Sequence, residues 1–498
     1  MPERISRGSS ASRSGGVTFM NRHVLTLCIS AGLITGLAAT TAGAQSAVTA
    51  APVDRPTPPQ DAASLGTDIA TSTPDTAPLL GNSIPKALED LGINFRGSEI
   101  DQWARNPSGG VKQGDTNVGQ VNFGSDFDLQ KLLGLHGGSL HVVIYRDYGD
   151  ALNQDFTGTF TKQQYIYKNP YPQLHFGLFA YEQKLLQDRL DWQIGRLGST
   201  AYYGHLVTNC QFISGTTCGE PRIIVSEAGL SLLPSATWGT NIKYRPTAST
   251  YMETGIFEVN PTTAPSNGLD FSTSKATGFT VPAELAWTSG DAKSTAYPFA
   301  LKLGSYVSTA PLSDPYYNTK GLSRGLHGGT AATDSGDRKG VYIMGDRVVW
   351  RPDPDLPTTL DVFGGVVQQL ENDEIMRQQI YTGVVWSAPF KSRPFDALGF
   401  SISEFELTPG EQDFLRDARI KAGGSGENAA HQIDYELTYT LHLLRGVEFM
   451  SGLQYVIHPD NSTITNTAVL PKNLLVYAVG IRMDLGYLLG FRRGQASD

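Results

Sequence analysis

The segment NCQFISGTTCGE sets Cys210 and Cys218 eight residues apart among turn formers, and sulfur at that spacing supports two kinds of chemistry. Two nearby thiols in an oxidising compartment close a surface loop as a disulfide. The same pair could supply two metal ligands, but no histidine or third cysteine stands beside it to complete a site. The disulfide is therefore expected, and no metal or cofactor is. Hydrolytic chemistry has little to build on. H-E-x-x-H and Walker segments are missing, and the nine histidines are dispersed. A serine–histidine pair assembled only by folding is the one catalytic arrangement left open. Other residues suit hydrogen bonding to a solute without reaction. Asp434 and Glu436 in HQIDYELTYTLHLL, and Arg482 and Asp484 in NLLVYAVGIRMDL, each share a strand face with polar or small residues.

The elements that position these residues follow from the patterning. Asn21-Arg22-His23 precedes an apolar run, Val24 to Ala39, and Ala42-Gly43-Ala44 offers a cleavage site, so residues 1–44 read as an export signal. Met20 is a possible true start. Cys28 falls inside the apolar run behind Leu27, which argues against a lipid-modified start. Removing residues 1–44 takes the formal charge from -9 to -12, with 35 basic against 47 acidic residues. That acidity, without a basic cluster, excludes nucleic acid as a partner. Residues 45–80 are rich in Ala, Pro, Thr and Ser and read as a flexible arm. Residues 81–91 hold one short helix, with Ser83 as its cap and Pro85 in the first turn.

Beyond Gly92 no apolar run is long enough to span a bilayer as a helix, yet period-2 segments recur. Sixteen begin near Ile93, Val121, Leu140, Leu174, Leu190, Trp238, Thr250, Phe279, Phe299, Val341, Leu360, Ile380, Leu398, Ile433, Val447 and Leu474. Tight connections such as Leu444-Arg445-Gly446 alternate with long polar spans, including 150–171, 199–235, 311–340 and 409–430. This is the arithmetic of an antiparallel meander with its long loops at one end. The fold class expected is all-β: a closed antiparallel transmembrane β-barrel of about 16 strands over residues 92–485, with short periplasmic turns, long extracellular loops and a tail at 486–498. In such a wall Ile433, Tyr435, Leu437, Tyr439, Leu441 and Leu443 face lipid, and their polar neighbours face a water-filled lumen.

Several segments resemble the carbohydrate-selective porins, the OprB-like family: GINFRG (92–97), NPSGG (106–110), FGSDFDL (123–129), YEQKLLQDRLDWQIGRLG (181–198), WGTNIKYRP (238–246) and YMETGIFEVNP (251–261). The resemblance covers roughly residues 80–485. It implies a sixteen-stranded barrel in a Gram-negative outer membrane that passes mono- or oligosaccharides passively into the periplasm, with loops folded inward, and it implies no enzyme. The implied surroundings are carbohydrate solutes, outer-membrane lipid, lipopolysaccharide and the barrel-assembly machinery, with the chain a monomer or a homotrimer. The tail departs from the family pattern, because an outer-membrane strand commonly ends the chain on an aromatic residue. A general porin, or a barrel serving catalysis or export, are the rival readings. Sugar selection needs charged partners for hydroxyls and aromatic faces for the pyranose ring. The matched motifs offer Glu182, Arg196, Lys243, Arg245 and Glu284 for the first, and Tyr181 and Trp238 for the second. Glu182 and Arg196 are expected to approach each other across the 186–189 turn.

Overall fold

The computed structural model describes residues 79–81, 83–166, 174–263, 266–289, 297–334, 338–353, 356–371 and 374–491. The expected export signal, the arm through residue 78 and the tail beyond residue 491 lie outside the described residues. The alternating segments form β1 (Ile93–Gly110), β2 (Gly114–Asp128), β3 (Gly138–Gly149), β4 (His175–Leu185), β5 (Leu190–Leu197) and β6 (Thr237–Thr247). They continue as β7 (Thr250–Val259), β8 (Gly278–Thr288), β9 (Phe299–Ser308), β10 (Leu312–Asn318), β11 (Ala331–Asp334) and β12 (Arg338–Trp350). The last six are β13 (Thr359–Gln369), β14 (Met376–Ser387), β15 (Ala397–Leu407), β16 (His431–Leu444), β17 (Val447–Ile457) and β18 (Lys472–Asp484).

Sixteen of these strands close an antiparallel barrel, sealed where β1 meets β18 from Ser98↔Asp484 to Arg105↔Tyr477. Closure removes the two free edges that an open sheet would present. Only β10 and β11 stand apart, as a hairpin inside the 309–337 loop, so β9 pairs with β12. No helix among the described residues is long and apolar enough to cross a membrane. The strands do the crossing. Long connections (150–174, 198–236, 260–277, 309–337, 408–430, 458–471) all leave one end of the barrel, and the tight ones at 186–189, 248–249 and 445–446 lie at the other.

The wall is greasy outside and polar inside, as its alternation requires. On β16 Leu437 is 45% exposed, whereas Glu436 beside it is 3% exposed. Exposed aromatics ring the short-turn end. Trp287 meets Phe299 edge-on at 4.9 Å across one connection, and Phe390 stands 6.4 Å from Tyr439. Such rings suit the membrane–water boundary.

Three features depart from expectation. An inward-folded loop is what the resemblance implies, but the 198–236 loop brings apolar side chains into the lumen expected to be filled by water. Phe212, Ile223 and Ile224 pack against Tyr342, Met344, Phe363, Tyr381 and Phe405 on the inner faces of β12 to β15. Cys210 and Cys218 are buried free thiols inside this inserted loop and form neither a disulfide nor a surface staple. Hydrogen bonds from the wall hold the loop instead, as described below. Finally, the polar 408–430 span contains the helix Pro409–Lys421, capped by Thr408, whose hydroxyl accepts from the Glu411 N–H at 3.3 Å. Its T-x-x-E capping box with Pro at the first helical position was present in the sequence.

The first and last described segments meet near the β1–β18 seam. The Leu79 N–H donates to the Leu488 carbonyl at 2.9 Å in the short helix Leu485–Leu489. Phe491 is buried with its ring centroid 5.5 Å from Phe95. Phe491 thus packs on β1 after the short helix that follows β18.

Candidate functional site: a lumen narrowed by two loops

Two loops rope across the inside of the barrel, each anchored by inward-facing polar side chains. Glu436 accepts from the backbone N–H groups of Ile213 at 2.8 Å and Ser214 at 3.1 Å. The Ile223 N–H donates to Gln379 on β14 at 3.4 Å, and Arg482 on β18 donates to the Cys210 carbonyl at 3.3 Å. The 150–166 segment is tied in the same way. Gln164 donates to the Gln102 carbonyl at 2.7 Å, and Gln454 donates to the Gln163 carbonyl at 2.8 Å. The two segments also bond each other, through the Ser214 hydroxyl and the Lys162 carbonyl at 2.8 Å. These strand residues are polar because loop backbone inside a barrel needs partners. Many lumen charges therefore hold loops rather than water.

Two charged clusters occupy the wall beside the loops. The first runs across β1 to β4. Arg96 pairs with Asp126 at 3.0 Å, His141 bonds Asp126 at 2.7 Å, and the other ring nitrogen of His141 meets Glu182 at 3.2 Å. The second spans β6 to β12. Lys243 pairs with Glu253 at 2.9 Å and lies 4.0 Å from the Tyr251 ring centre. Glu284 accepts from the Tyr251 hydroxyl at 2.6 Å, the Tyr342 hydroxyl at 2.7 Å and the Gly204 N–H at 2.9 Å, with the Lys302 ammonium 3.6 Å away. One carboxylate thereby ties three wall strands and the inserted loop together. Nearby, Tyr203 donates to Asn241 at 2.6 Å, and Asn241 donates to Glu253 at 2.8 Å.

Burial sets the charge of the loop acids. It pushes the Glu220 carboxyl up to about 7, partly offset by the Lys162 ammonium. Glu227 is likewise raised by burial to about 7, against the pull of Arg222 and Arg338. Burial also drives Lys162 well below its ordinary range, with Arg222 adding repulsion. An ionised acid without water around it is costly, so the proton is retained.

The seven residues singled out from the sequence divide between the two faces. Glu182, Lys243, Arg245 and Glu284 face inward. Arg245 has Nη1 buried without a hydrogen-bond partner, and its backbone N–H donates to the Arg189 carbonyl at 2.7 Å. Tyr181, Arg196 and Trp238 share the outward face, which corrects their placement in the lumen. The reason is parity. The ladder pairs Glu182 with Gln193, and Arg196 lies three residues beyond Gln193, on the opposite side of the sheet. Arg196 is nonetheless only 1% exposed, because it donates to the carbonyls of Ala236 at 2.6 Å and Asp270 at 2.9 Å, 5.9 Å from the Phe271 ring centre. Trp238 donates to the Phe271 carbonyl at 3.0 Å, and Tyr181 meets Trp192 edge-on at 6.3 Å. Both are outer-face aromatics. The inward rings are instead Tyr203, Tyr251 and Tyr342. Tyr251 and Glu253 were accessible from the alternation of TYMETGIFEV, whereas the loop residue Tyr203 carried no such signal.

Comparison with known proteins agrees with this geometry. Residues 112–472 match the family described as carbohydrate-selective porin, OprB family. Porin B of Pseudomonas aeruginosa is 24% identical over 420 residues, covering 80% of this chain and 90% of that protein. The high-pH structure of Pseudomonas putida OprB superposes with a TM-score of 0.73 at 22% identity, covering 83% of this chain and all of that one, so the fold is the same. With most of its length matched by the family, this chain belongs to the carbohydrate-selective porins of the OprB family, which pass sugars across the outer membrane of Gram-negative bacteria.

Proposed function

We propose that this porin passes mono- or short oligosaccharides passively into the periplasm, selecting them where the 198–206 stretch of the inserted loop faces β6 to β12. The cluster of Lys243, Glu253, Tyr251, Glu284 and Lys302 carries this reading. It sets cations, carboxylates and aromatic faces side by side, the combination that suits hydroxyls and the apolar face of a pyranose. Arg245 adds a buried guanidinium nitrogen whose hydrogen-bonding capacity is unused. Binding there is weak and multi-sited, since a tightly held solute would obstruct its own flux. No bond is made or broken, so the chain acts as a channel and not as an enzyme. In the same reading the export signal is cleaved after Ala44, and the barrel is inserted by the assembly machinery into a leaflet rich in lipopolysaccharide.

Liposome swelling with sugars of rising size tests channel and selectivity together. Faster swelling with monosaccharides than with uncharged polyols of equal size supports sugar selection. Equal rates would leave a general porin. In planar bilayers, added sugar should reduce the conductance steps, and Lys302→Met should weaken that block.

A further inference from the structure

The charged cluster that faces the inserted loop is largely committed to itself. Glu284 accepts from two tyrosines and from the Gly204 N–H, and the Lys243 ammonium is paired with Glu253. Tyr203 donates to Asn241, which donates to Glu253 in turn. An incoming hydroxyl therefore finds its hydrogen bonds at groups with capacity to spare. His205 is one of them. Both of its ring nitrogens are buried, and neither has a hydrogen-bond partner among the described residues. Arg245 Nη1 is another on the same terms. Buried polar atoms without partners are rare, because each forfeits the hydration it had in the unfolded chain.

The loop holds His205 in place through its neighbours, not through its ring. The Tyr202 hydroxyl donates to Gln193 on β5 at 2.8 Å, the Tyr203 hydroxyl to Asn241 on β6 at 2.6 Å, and the Gly204 N–H to Glu284 on β8 at 2.9 Å. Three consecutive residues are thereby fastened to the wall just before the histidine. Gly204 turns the chain with φ +69°, and a Cβ there would fall 2.7 Å from Ile224 Cδ1, so the turn needs glycine. His205 itself is half-buried, and Lys302 and Lys243 are the ammoniums that face it. Burial and those two charges push the imidazole down to about 3, so it is neutral at neutral pH. A neutral imidazole carries one N–H donor and one bare acceptor nitrogen, whereas an ammonium only donates and a carboxylate only accepts. Turning the ring toward the bore breaks no hydrogen bond.

We propose that His205 is a specificity-determining residue of this porin, its imidazole donating to one sugar hydroxyl and accepting from another as the solute passes β5 to β9. The assignment rests on sugars being selected at this point of the lumen. Single-channel recording of the full-length protein in planar bilayers, with D-glucose and maltose as blocking solutes, gives the test. His205→Phe keeps a ring without polar atoms, and should raise the half-blocking concentration about tenfold while open-channel conductance stays the same. His205→Ala, which adds no bulk, should raise it as far. His205→Gln restores a donor and an acceptor, and should stay within about twofold of the parent. Amide exchange at residues 202–204 should match the parent in all three variants, since those residues hold the wall by their own bonds. Block of His205→Phe and His205→Ala at the parent's concentrations would overturn the proposal. So would equal weakening in His205→Gln, or faster exchange at 202–204, either of which makes the ring a packing element. A parent channel that neither sugar blocks would remove the sugar-selecting reading itself, and the role of His205 with it.

Discussion

Replacing Glu284 with alanine probes how the lumen is narrowed. The carboxylate holds Tyr251, Tyr342, the Gly204 N–H and Lys302 at once. Each hydrogen bond to a charged group is worth about 1.5–3 kcal/mol, but the tyrosines lie on wall strands whose ladders survive the change. The part that falls on the inserted loop is the Gly204 contact alone, because Glu284 and Lys302 both lie on wall strands. Docking of residues 200–206 should therefore weaken by a factor of about 10–10², while Glu436 and Gln379 still hold the loop farther along. Glu284→Gln keeps an acceptor for Gly204 and should show a smaller loss. The assay pairs single-channel conductance with amide exchange in residues 200–206. Glu284→Ala should raise conductance, reduce block by sugar and speed exchange there, with the barrel strands unchanged. If conductance and exchange both match the parent, Glu284 does not hold the loop and the account of the narrowed lumen is wrong.

Other outcomes follow from the same structure. Leu437→Arg, on the lipid face, should lower barrel stability by about 2–4 kcal/mol in denaturant unfolding from vesicles, and no change would mean that β16 is read inside out. Arg196→Leu should leave sugar block intact but speed exchange at Asp270 and Phe271, whereas a lost block would return Arg196 to the lumen. Lys243→Met removes a lumen cation and should shift the reversal potential in a salt gradient toward cations. Glu227 bears a folded-state value of about 7 against an ordinary 4.5, so its proton is kept in the docked loop and lost from the undocked one between those limits. Docking is therefore strongest at low pH and weakens as pH rises from 4.5 to 7, by about 3 kcal/mol for this group, with no further loss above that window. Amide exchange in the 198–236 loop should quicken over that range, and Glu227→Gln should remove this group's share of the profile while Glu220, also raised to about 7, keeps its own.

Alternation by itself determined which wall residues meet lipid, because the side-chain period of a strand is two and a one-residue slip would turn the whole stripe around. HQIDYELTYTLHLL and NLLVYAVGIRMDL were legible for that reason, as were the strand count and the end from which the long loops leave. The reading of the site failed in two places. Tyr181 lies beside Glu182, and Trp238 five residues before Lys243, so alternation already puts each pair on opposite faces. Nor can alternation carry across a turn. Glu182 and Arg196 sit in one hairpin, yet the pairing of Glu182 with Gln193 puts them on opposite faces. Tertiary structure alone decided what fills the bore. Phe212, Ile223 and Tyr203 lie in a loop without periodicity, and the first two reach the inner faces of β12 to β15, and Tyr203 those of β6 and β7, only because the barrel closes around them. It also decided the state of Cys210 and Cys218, since a loop held by Glu436, Gln379 and Arg482 is ordered without a covalent staple. Local pattern fixes the face of a strand; contacts between residues 156 and 223 positions apart fix the width of the channel, and those depend on the closed ring.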